Sequence, residues 1–101
     1  METVKLLKKE FTGRGEVKGF YFRQVYMHDK FYVYEVTDET DGIKKVYYEL
    51  IKRYTNVSFD RSGLQESYPS SKMFGIKGWT YPSKERTIEG VKAKFKTEII
   101  L

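Results

Sequence analysis

Side chains alternate with a period of two along three segments of this chain, which is the pattern of β-strands. The segments are residues 17–26 (VKGFYFRQVY), 31–36 (FYVYEV) and 45–53 (KVYYELIKR). In the first of them Phe20 and Phe22 fall on the same face, which we expect to be buried. Aromatic and β-branched residues dominate all three segments, as is typical of strands.

Turn signals predict that these strands pair as successive hairpins. A polar break at residues 28–30 separates the first two segments. Asp41-Gly42 separates the second from the third, and this dipeptide is typical of a type I′ turn because both central residues need a positive φ. Residues 3–11 are predicted to add a further strand.

The second half of the chain changes in composition. Residues 54–71 are rich in Asn, Ser, Asp, Gly and Pro, and they predict a long surface loop held by a few apolar anchors. Residues 73–81 (MFGIKGWTY) predict a last strand, in which Gly75 and Gly78 suit a bulge or a close backbone approach.

A helix is predicted after Pro82. Ser83 is a suitable N-cap, and Glu85 suits the positive N-terminal end of a helix. Apolar residues then recur at helical spacing at Ile88, Val91 and Phe95. Gly90 weakens a helix by about 1 kcal/mol relative to alanine, so we expect this helix to depend on packing against the sheet.

Length and composition bound the class of protein. A chain of 101 residues with 40% hydrophobic residues is expected to fold as a single domain, residues 1–101. The predicted fold is α+β, with a sheet of four or five mostly antiparallel strands and one C-terminal helix packed on one face. The absence of cysteine excludes disulfides and favours a cytoplasmic location. No run approaches the roughly 20 apolar residues of a membrane span, so no membrane partner is expected.

Catalytic and metal chemistry find little support in these residues. The only histidine, His28, lies in a predicted turn next to Asp29, and no nucleophile motif accompanies it. The acidic cluster at residues 38–41 lacks the spacing of an EF-hand calcium loop. We therefore expect no enzyme activity, no catalytic residue, no metal and no cofactor.

Charge favours an anionic partner. Nineteen Lys and Arg residues against fourteen Asp and Glu residues give a net charge of +5, which favours nucleic acid through long-range attraction. If the helix covers the face with Phe20, Phe22, Tyr48 and Leu50, the opposite face would present Tyr21, Arg23, Tyr47 and Arg53. Aromatic rings interleaved with guanidinium groups suit stacked bases. Trp79 and two lysines of the last helix, Lys92 and Lys96, are expected to help.

Two resemblances bear on this hypothesis. KGFYF followed by FYVYEV resembles the strands of cold-shock domains, which implies binding of single strands by stacking on exposed aromatic rings. Tyr21, Arg23 and the C-terminal helix depart from that pattern. GEVKGFYFRQV, YVYEVTD and YPSSKMFGIKGWTYPS together resemble short uncharacterised proteins of gut bacteria and their bacteriophages. A phage or mobile-element origin would imply a binding protein directed at host proteins or nucleic acid.

The sequence therefore predicts a small non-enzymatic module that binds nucleic acid, DNA or RNA, through a basic aromatic sheet face. The alternative is a protein-binding module, such as an inhibitor of a host protein or a homo-oligomeric interaction protein, because aromatic residues and arginine are also enriched at protein interfaces. A separate interpretation is that the loop at residues 54–71, or a second copy of the chain, covers and buries this aromatic face, because large exposed apolar patches are uncommon on monomers.

Overall fold

The three alternating segments form the centre of an antiparallel sheet in the computed structural model, which describes residues 5–13, 19–40, 42–57 and 64–101. The elements are β1 (Glu10–Thr12), β2 (Phe20–Met27), β3 (Phe31–Asp38), β4 (Lys45–Lys52), β5 (Thr55–Val57), β6 (Leu64–Glu66), β7 (Gly78–Tyr81) and α1 (Lys84–Phe95). The main sheet has the strand order β1-β2-β3-β4-β7, and its neighbouring strands are antiparallel. The predicted α+β fold with one C-terminal helix is confirmed.

Both predicted hairpins of the main sheet are present. β2 pairs with β3, and β3 pairs with β4 along all 8 residues of each strand. The loop between β3 and β4 spans residues 39–44, so it is longer than a two-residue turn. Gly42 has a φ of +74° within this loop, while Asp41 lies outside the described residues, as do residues 17–18 of the predicted first strand.

The segments flanking the central strands differ from their predictions. The strand predicted for residues 3–11 begins at Glu10. The predicted loop at residues 54–71 contains β5 and β6, which pair as a separate two-stranded sheet, and residues 58–63 between them lie outside the described part of the chain. Of the expected apolar anchors, Val57 belongs to β5 and Leu64 to β6, while Phe59 lies outside the described residues.

The last strand is shorter than its sequence predicts. A short 3-10 turn at Ser71–Met73 and a left-handed Gly75, with a φ of +94°, precede it. Because the left-handed conformation interrupts extended backbone, β7 begins only at Gly78. It pairs with the C-terminal half of β4, residues 48–51.

The helix α1 begins at the predicted cap. The Ser83 Oγ accepts a hydrogen bond from the backbone N–H of Arg86 at 3.2 Å, and Glu85 lies in the first turn. At the other end Lys96 adopts the left-handed conformation, and its backbone N–H donates to the carbonyl of Lys92. Both ends therefore satisfy backbone groups that the helix itself leaves unpaired.

The helix packs on the face of the sheet that carries Tyr48 and Leu50, as predicted. The buried residues of this helix-side core are Phe31, Val33, Tyr48, Leu50, Val91 and Ile99. The prediction that Phe20 and Phe22 share this face is wrong, because both lie in the apolar cluster of the opposite face.

The registers of the two hairpins explain that error. Phe22 is opposite Val36 of β3, and Val36 is opposite Tyr47 of β4, so these three residues share a face. The next row across the sheet, on the helix side, is Arg23, Glu35 and Tyr48. Alternation determines which residues of one strand share a face, but pairing register determines how two strands align with each other.

A β-bulge in β2 adds a second departure. The register shifts between Gln24 and Tyr26, so the alternation predicted through residue 26 changes phase at Val25. Tyr26 consequently faces the helix side, where its ring stacks on Phe31 with 6.0 Å between centroids. The bulge thus adds an aromatic ring to the helix-side core.

The face opposite the helix is covered by other parts of the chain. Its buried residues are Phe22, Tyr32, Tyr34, Val36 and Ile51. Leu7, Phe11 and Tyr68 pack against them, and the ring of Phe11 stacks on Phe22 at 4.7 Å. Tyr68 belongs to the segment 54–71, so at least this residue of the segment packs over the face opposite the helix.

Gly90 is a point of close approach between α1 and β7. It is buried, and a Cβ on Gly90 would overlap the Cζ and Oη atoms of Tyr81 and lie 2.8 Å from its Cε2. We expect Gly90→Ala to destabilise the protein, because overpacking costs about 1–3 kcal/mol while the gain in helix propensity is about 1 kcal/mol. Thermal unfolding followed by circular dichroism measures the change.

The matched control removes the obstructing ring. In a Tyr81→Ala background, Gly90→Ala should raise stability by about 1 kcal/mol, because only the propensity gain remains. A rise in melting temperature on Gly90→Ala in the otherwise unchanged protein would contradict the close approach.

Candidate functional site

The structure divides the residues predicted to bind nucleic acid among three places. Tyr21 and Arg23 lie on the helix side of the sheet, near its β1 edge. Tyr47 lies on the opposite face. Four others, Arg53, Trp79, Lys92 and Lys96, belong to the other end of the molecule, where β4 ends, β7 begins and α1 finishes. The single aromatic and guanidinium surface predicted from the sequence is therefore not formed.

The patch around Tyr21 and Arg23 is mixed in charge. Arg23 is opposite Glu10 on one side and Glu35 on the other. Its Nη2 lies 3.4 Å from Glu35 Oε1, and the Tyr48 hydroxyl lies 3.4 Å from Glu35 Oε2. With a carboxylate on either side, Arg23 does not create a positive surface for phosphate groups.

Tyr47 packs against the apolar cluster on the face opposite the helix. Its ring meets the edge of Phe20 with 6.4 Å between centroids. Burial, with smaller contributions from the charges of Glu49 and Asp38, raises the pKa of Tyr47 to about 12. It serves the packing of the face opposite the helix rather than the face that carries Arg23.

Arg53, the residue after β4, bonds to β6 and to the turn between β2 and β3. Its Nε donates to Glu66 Oε2 at 2.6 Å, its Nη1 donates to the carbonyl of His28 at 2.9 Å, and its guanidinium lies 4.6 Å from the centroid of the Tyr32 ring. Glu66 also accepts hydrogen bonds from the Tyr32 hydroxyl and from the backbone N–H of Leu7. Burial and the bond to Glu66 raise the pKa of Tyr32 well above its ordinary value. Arg53 is thus a structural residue.

Lysines from separate elements meet at the end of the molecule next to Arg53. We call this region the basic end and define it as Lys30, Lys52, Lys77, Lys94 and Lys96. The backbone N–H of Lys52 donates to the carbonyl of Lys77 at 2.8 Å. The N–H of Arg53, the next residue, donates to the carbonyl of Lys30 at 3.0 Å. Three lysines that are distant in sequence are therefore neighbours.

The helix brings its C-terminal lysines to the same end. The ring of Phe95 lies 4.7 Å from that of Phe31, which follows Lys30 in the chain. Lys94 extends its ammonium to 4.6 Å from the Trp79 ring centroid, beside the start of β7. Lys92, one turn before Lys96, pairs with Glu98 at 3.4 Å on the surface.

Aromatic rings at the basic end are already in contact with cations or other rings. The ammonium of Lys77 lies 3.9 Å from the Tyr54 ring centroid, and the imidazole of His28 stacks on Phe31 at 4.5 Å. Trp79 meets the edge of Phe95 at 6.3 Å in addition to Lys94. Rings therefore contact two of the five lysines, Lys77 and Lys94, and four of the five lysines are exposed.

Acidic residues near this end of the described chain include Asp29, Glu66 and Glu98, and the exposed Glu98 pairs with Lys92. Asp29 is exposed in the same turn as Lys30, whereas Glu66 is buried against Arg53. Within the described residues, no cluster of three or more His, Asp or Glu side chains could hold a metal ion. None of the helices described there has the length and apolar character of a membrane span.

Compared with known proteins, this chain matches no protein-family model, no curated protein and no solved structure.

Sequence reasoning missed Lys30, Lys52 and Lys77 as a group because no single stretch contains them. A signal for two of them was present, since pairing the segments 31–36 and 45–53 as a hairpin brings the turn at residues 28–30 next to the end of the third segment. Lys77 could not be added that way, because its position depends on which strand β7 joins.

Proposed function

We propose that this protein is a small non-enzymatic module that binds nucleic acid through phosphate contacts at the basic end. The observation that carries the proposal is the pair of backbone hydrogen bonds that joins the turn at Lys30, the end of β4 at Lys52 and the turn before β7 at Lys77. These bonds place the backbones of three lysine-bearing segments side by side, which brings several positive charges to one end of the protein. Phosphate groups are the anions that repeat at such short distances along a nucleic acid.

The geometry supports phosphate contacts rather than base stacking. Trp79 and Tyr54, the rings best placed to stack on bases, are covered by Lys94 and Lys77. Contacts made by lysine ammonium groups to phosphates carry no sequence information by themselves. The protein should therefore bind with little sequence preference. A cytoplasmic location, expected from the cysteine-free sequence, agrees with such a partner.

Binding should weaken in the variant Lys52→Ala/Lys77→Ala. Each phosphate contact that is lost should reduce the slope of log K against log salt by about 0.7 for single strands and about 0.9 for duplex DNA. We expect the loss of affinity to be uniform across sequences, because lysine contacts to phosphate are not base-specific. Fluorescence anisotropy of labelled single-stranded DNA, duplex DNA and RNA, titrated with nucleic-acid-free protein at two salt concentrations, measures both quantities.

The matched control is Lys45→Ala/Lys84→Ala, which removes the same charge from exposed lysines away from the basic end. Its effect on the salt slope should be much smaller. Equal losses in the two double variants would show that only net charge matters, and absence of binding at low salt would reject nucleic acid as the partner.

Arg23→Glu tests the surface predicted from the sequence. Because Arg23 already lies between Glu10 and Glu35, this change should reduce affinity less than the lysine double variant does. A larger loss with Arg23→Glu would move the interface to the β1 edge of the helix-side face.

A further inference from the structure

A groove lies on the face of the sheet opposite the helix. It has a volume of about 980 Å³, within the range of small-molecule sites. Five rings contribute to its lining: Phe11, Phe22, Tyr47, Tyr68 and Phe74. The residues before β1 and those around the 3-10 turn form its sides, and the sheet forms its floor.

Glu49 brings a carboxylate into this aromatic groove. Glu49 lines the groove, yet only 8% of its surface is exposed. Glu49 Oε1 accepts a hydrogen bond from the Tyr68 hydroxyl at 2.7 Å, and Oε2 lies 3.4 Å from the Thr80 hydroxyl. The second contact is long, so Oε2 retains capacity to accept a stronger hydrogen bond.

Glu49 differs from the other buried carboxylate, that of Glu66. Glu66 has the guanidinium of Arg53 at 2.6 Å, whereas no lysine or arginine of the described residues lies within ion-pair distance of Glu49. Buried carboxylates are normally paired with a cation or take up a proton. Both hydrogen-bond partners of Glu49 are neutral hydroxyls, so its negative charge is not compensated by them.

The titration of the surrounding groups is consistent with this environment. Burial raises the pKa of Glu49, while the bonds from Tyr68 and Thr80 lower it in part. Burial and the neighbouring charge of Glu49 raise the pKa of Tyr68, so Tyr68 remains a neutral donor. A bound cation would act in the opposite direction to burial and favour the ionised form of Glu49.

We propose that this groove binds an organic cation, with an ammonium group at the Glu49 carboxylate and an apolar body against the surrounding rings. Aromatic faces attract cations, most strongly where water is excluded. The carboxylate supplies the charge complement, and the five rings supply apolar contact. Lys5 and Lys8 also line the groove and are exposed, which favours a ligand with one positive charge over one with several.

The test uses n-butylammonium, an analogue of a lysine side chain, against 1-butanol, which is similar in size but neutral. Nuclear magnetic resonance of the ¹⁵N-labelled protein should show shifts around Thr80 and Tyr68 on titration with the amine. The amine should bind at least about tenfold more tightly than the alcohol, because only the amine forms a charge-assisted hydrogen bond. Equal binding of amine and alcohol by the unchanged protein would overturn the proposal, as would no binding of either.

Glu49→Gln provides a second measurement. It keeps the shape of the side chain but removes the negative charge and replaces one acceptor oxygen by an NH2 donor, so amine affinity should fall to about that of the alcohol while alcohol affinity changes little. Unchanged amine affinity in a folded Glu49→Gln variant would contradict the assignment. The variant Lys52→Ala/Lys77→Ala should bind the amine normally, so failure of this inference and failure of nucleic-acid binding are separate results.

Amine affinity should also depend on pH. Only ionised Glu49 attracts the ammonium group, so affinity should fall as pH is lowered through the raised pKa of Glu49 and should be fully present above it. The other titratable groups that line the groove are Glu66, Tyr47, Tyr68, Lys5 and Lys8. Among these groups, Glu66 carries the other carboxyl. In Glu49→Gln this pH dependence should disappear, and its persistence would assign the effect to Glu66.

Discussion

Replacing Arg53 by alanine is expected to lower the free energy of unfolding by about 3–5 kcal/mol, because it leaves the buried carboxylate of Glu66 without a cation. The guanidinium is largely buried, with 17% of the side chain exposed, and its bonds reach Glu66, the His28 carbonyl and the Tyr32 ring. A single side chain therefore connects β4 to β6 and to the β2–β3 turn. For a protein whose total stability is about 5–15 kcal/mol, this loss approaches global unfolding.

Urea unfolding followed by the fluorescence of the single tryptophan, Trp79, measures this change. Arg23→Ala is the matched control, because Arg23 also pairs with a glutamate but its side chain is 51% exposed. That variant should lose only about 0–1 kcal/mol. Arg53→Met/Glu66→Gln should recover much of the loss of Arg53→Ala, since no uncompensated charge stays buried. Equal losses for Arg53→Ala and Arg23→Ala would contradict the structural role.

The role of Arg53 also affects how nucleic-acid binding is tested. Arg53 was predicted from the sequence to contact nucleic acid, yet its donors are used within the protein. A loss of binding in an Arg53 variant would follow from unfolding as readily as from a lost contact. Lys52 avoids this ambiguity because it is exposed, whereas Lys77 is half-buried against the Tyr54 ring.

A second large effect is expected in the C-terminal segment, where two adjacent isoleucines differ in burial. Ile99 is 6% exposed and belongs to the helix-side core, whereas Ile100 is 91% exposed. Ile99→Ala should cost about 2–5 kcal/mol, the range for removing a buried isoleucine side chain. Ile100→Ala should change stability by less than about 0.5 kcal/mol.

The two variants delete the same atoms one residue apart, so composition and unfolded-state effects are matched. Chemical unfolding with far-ultraviolet circular dichroism compares them directly. Similar midpoints for Ile99→Ala and Ile100→Ala would mean that the segment after α1 does not complete the core.

The local elements of the fold were largely predictable from neighbouring residues. The central strands, their antiparallel pairing and the helix that begins after Ser83 all follow from side-chain period, turn residues and capping chemistry. Each of these preferences depends on a few neighbouring residues, so the folded protein keeps the local structure they favour unless tertiary contacts oppose it. The β-bulge at Val25 is a case in which they do, because it brings Tyr26 onto the helix-side core.

The candidate sites depended on contacts between residues far apart in the chain. The predicted binding surface placed Tyr47 beside Arg23, but the pairing register puts these two residues on opposite faces of the sheet. Lys77 reaches the basic end only because β7 pairs with β4, and Glu49 meets Tyr68 across 19 residues of sequence. No local pattern encodes these distances.

By itself, the sequence determined that the chain forms an antiparallel sheet with a capped C-terminal helix and carries a positive net charge. Only the tertiary structure decided which face each strand presents, that Arg53 is buried against Glu66, and that lysines from three segments share one end. Period and capping are properties of adjacent residues, whereas strand phase and charge pairing are set by the free energy of packing the whole chain.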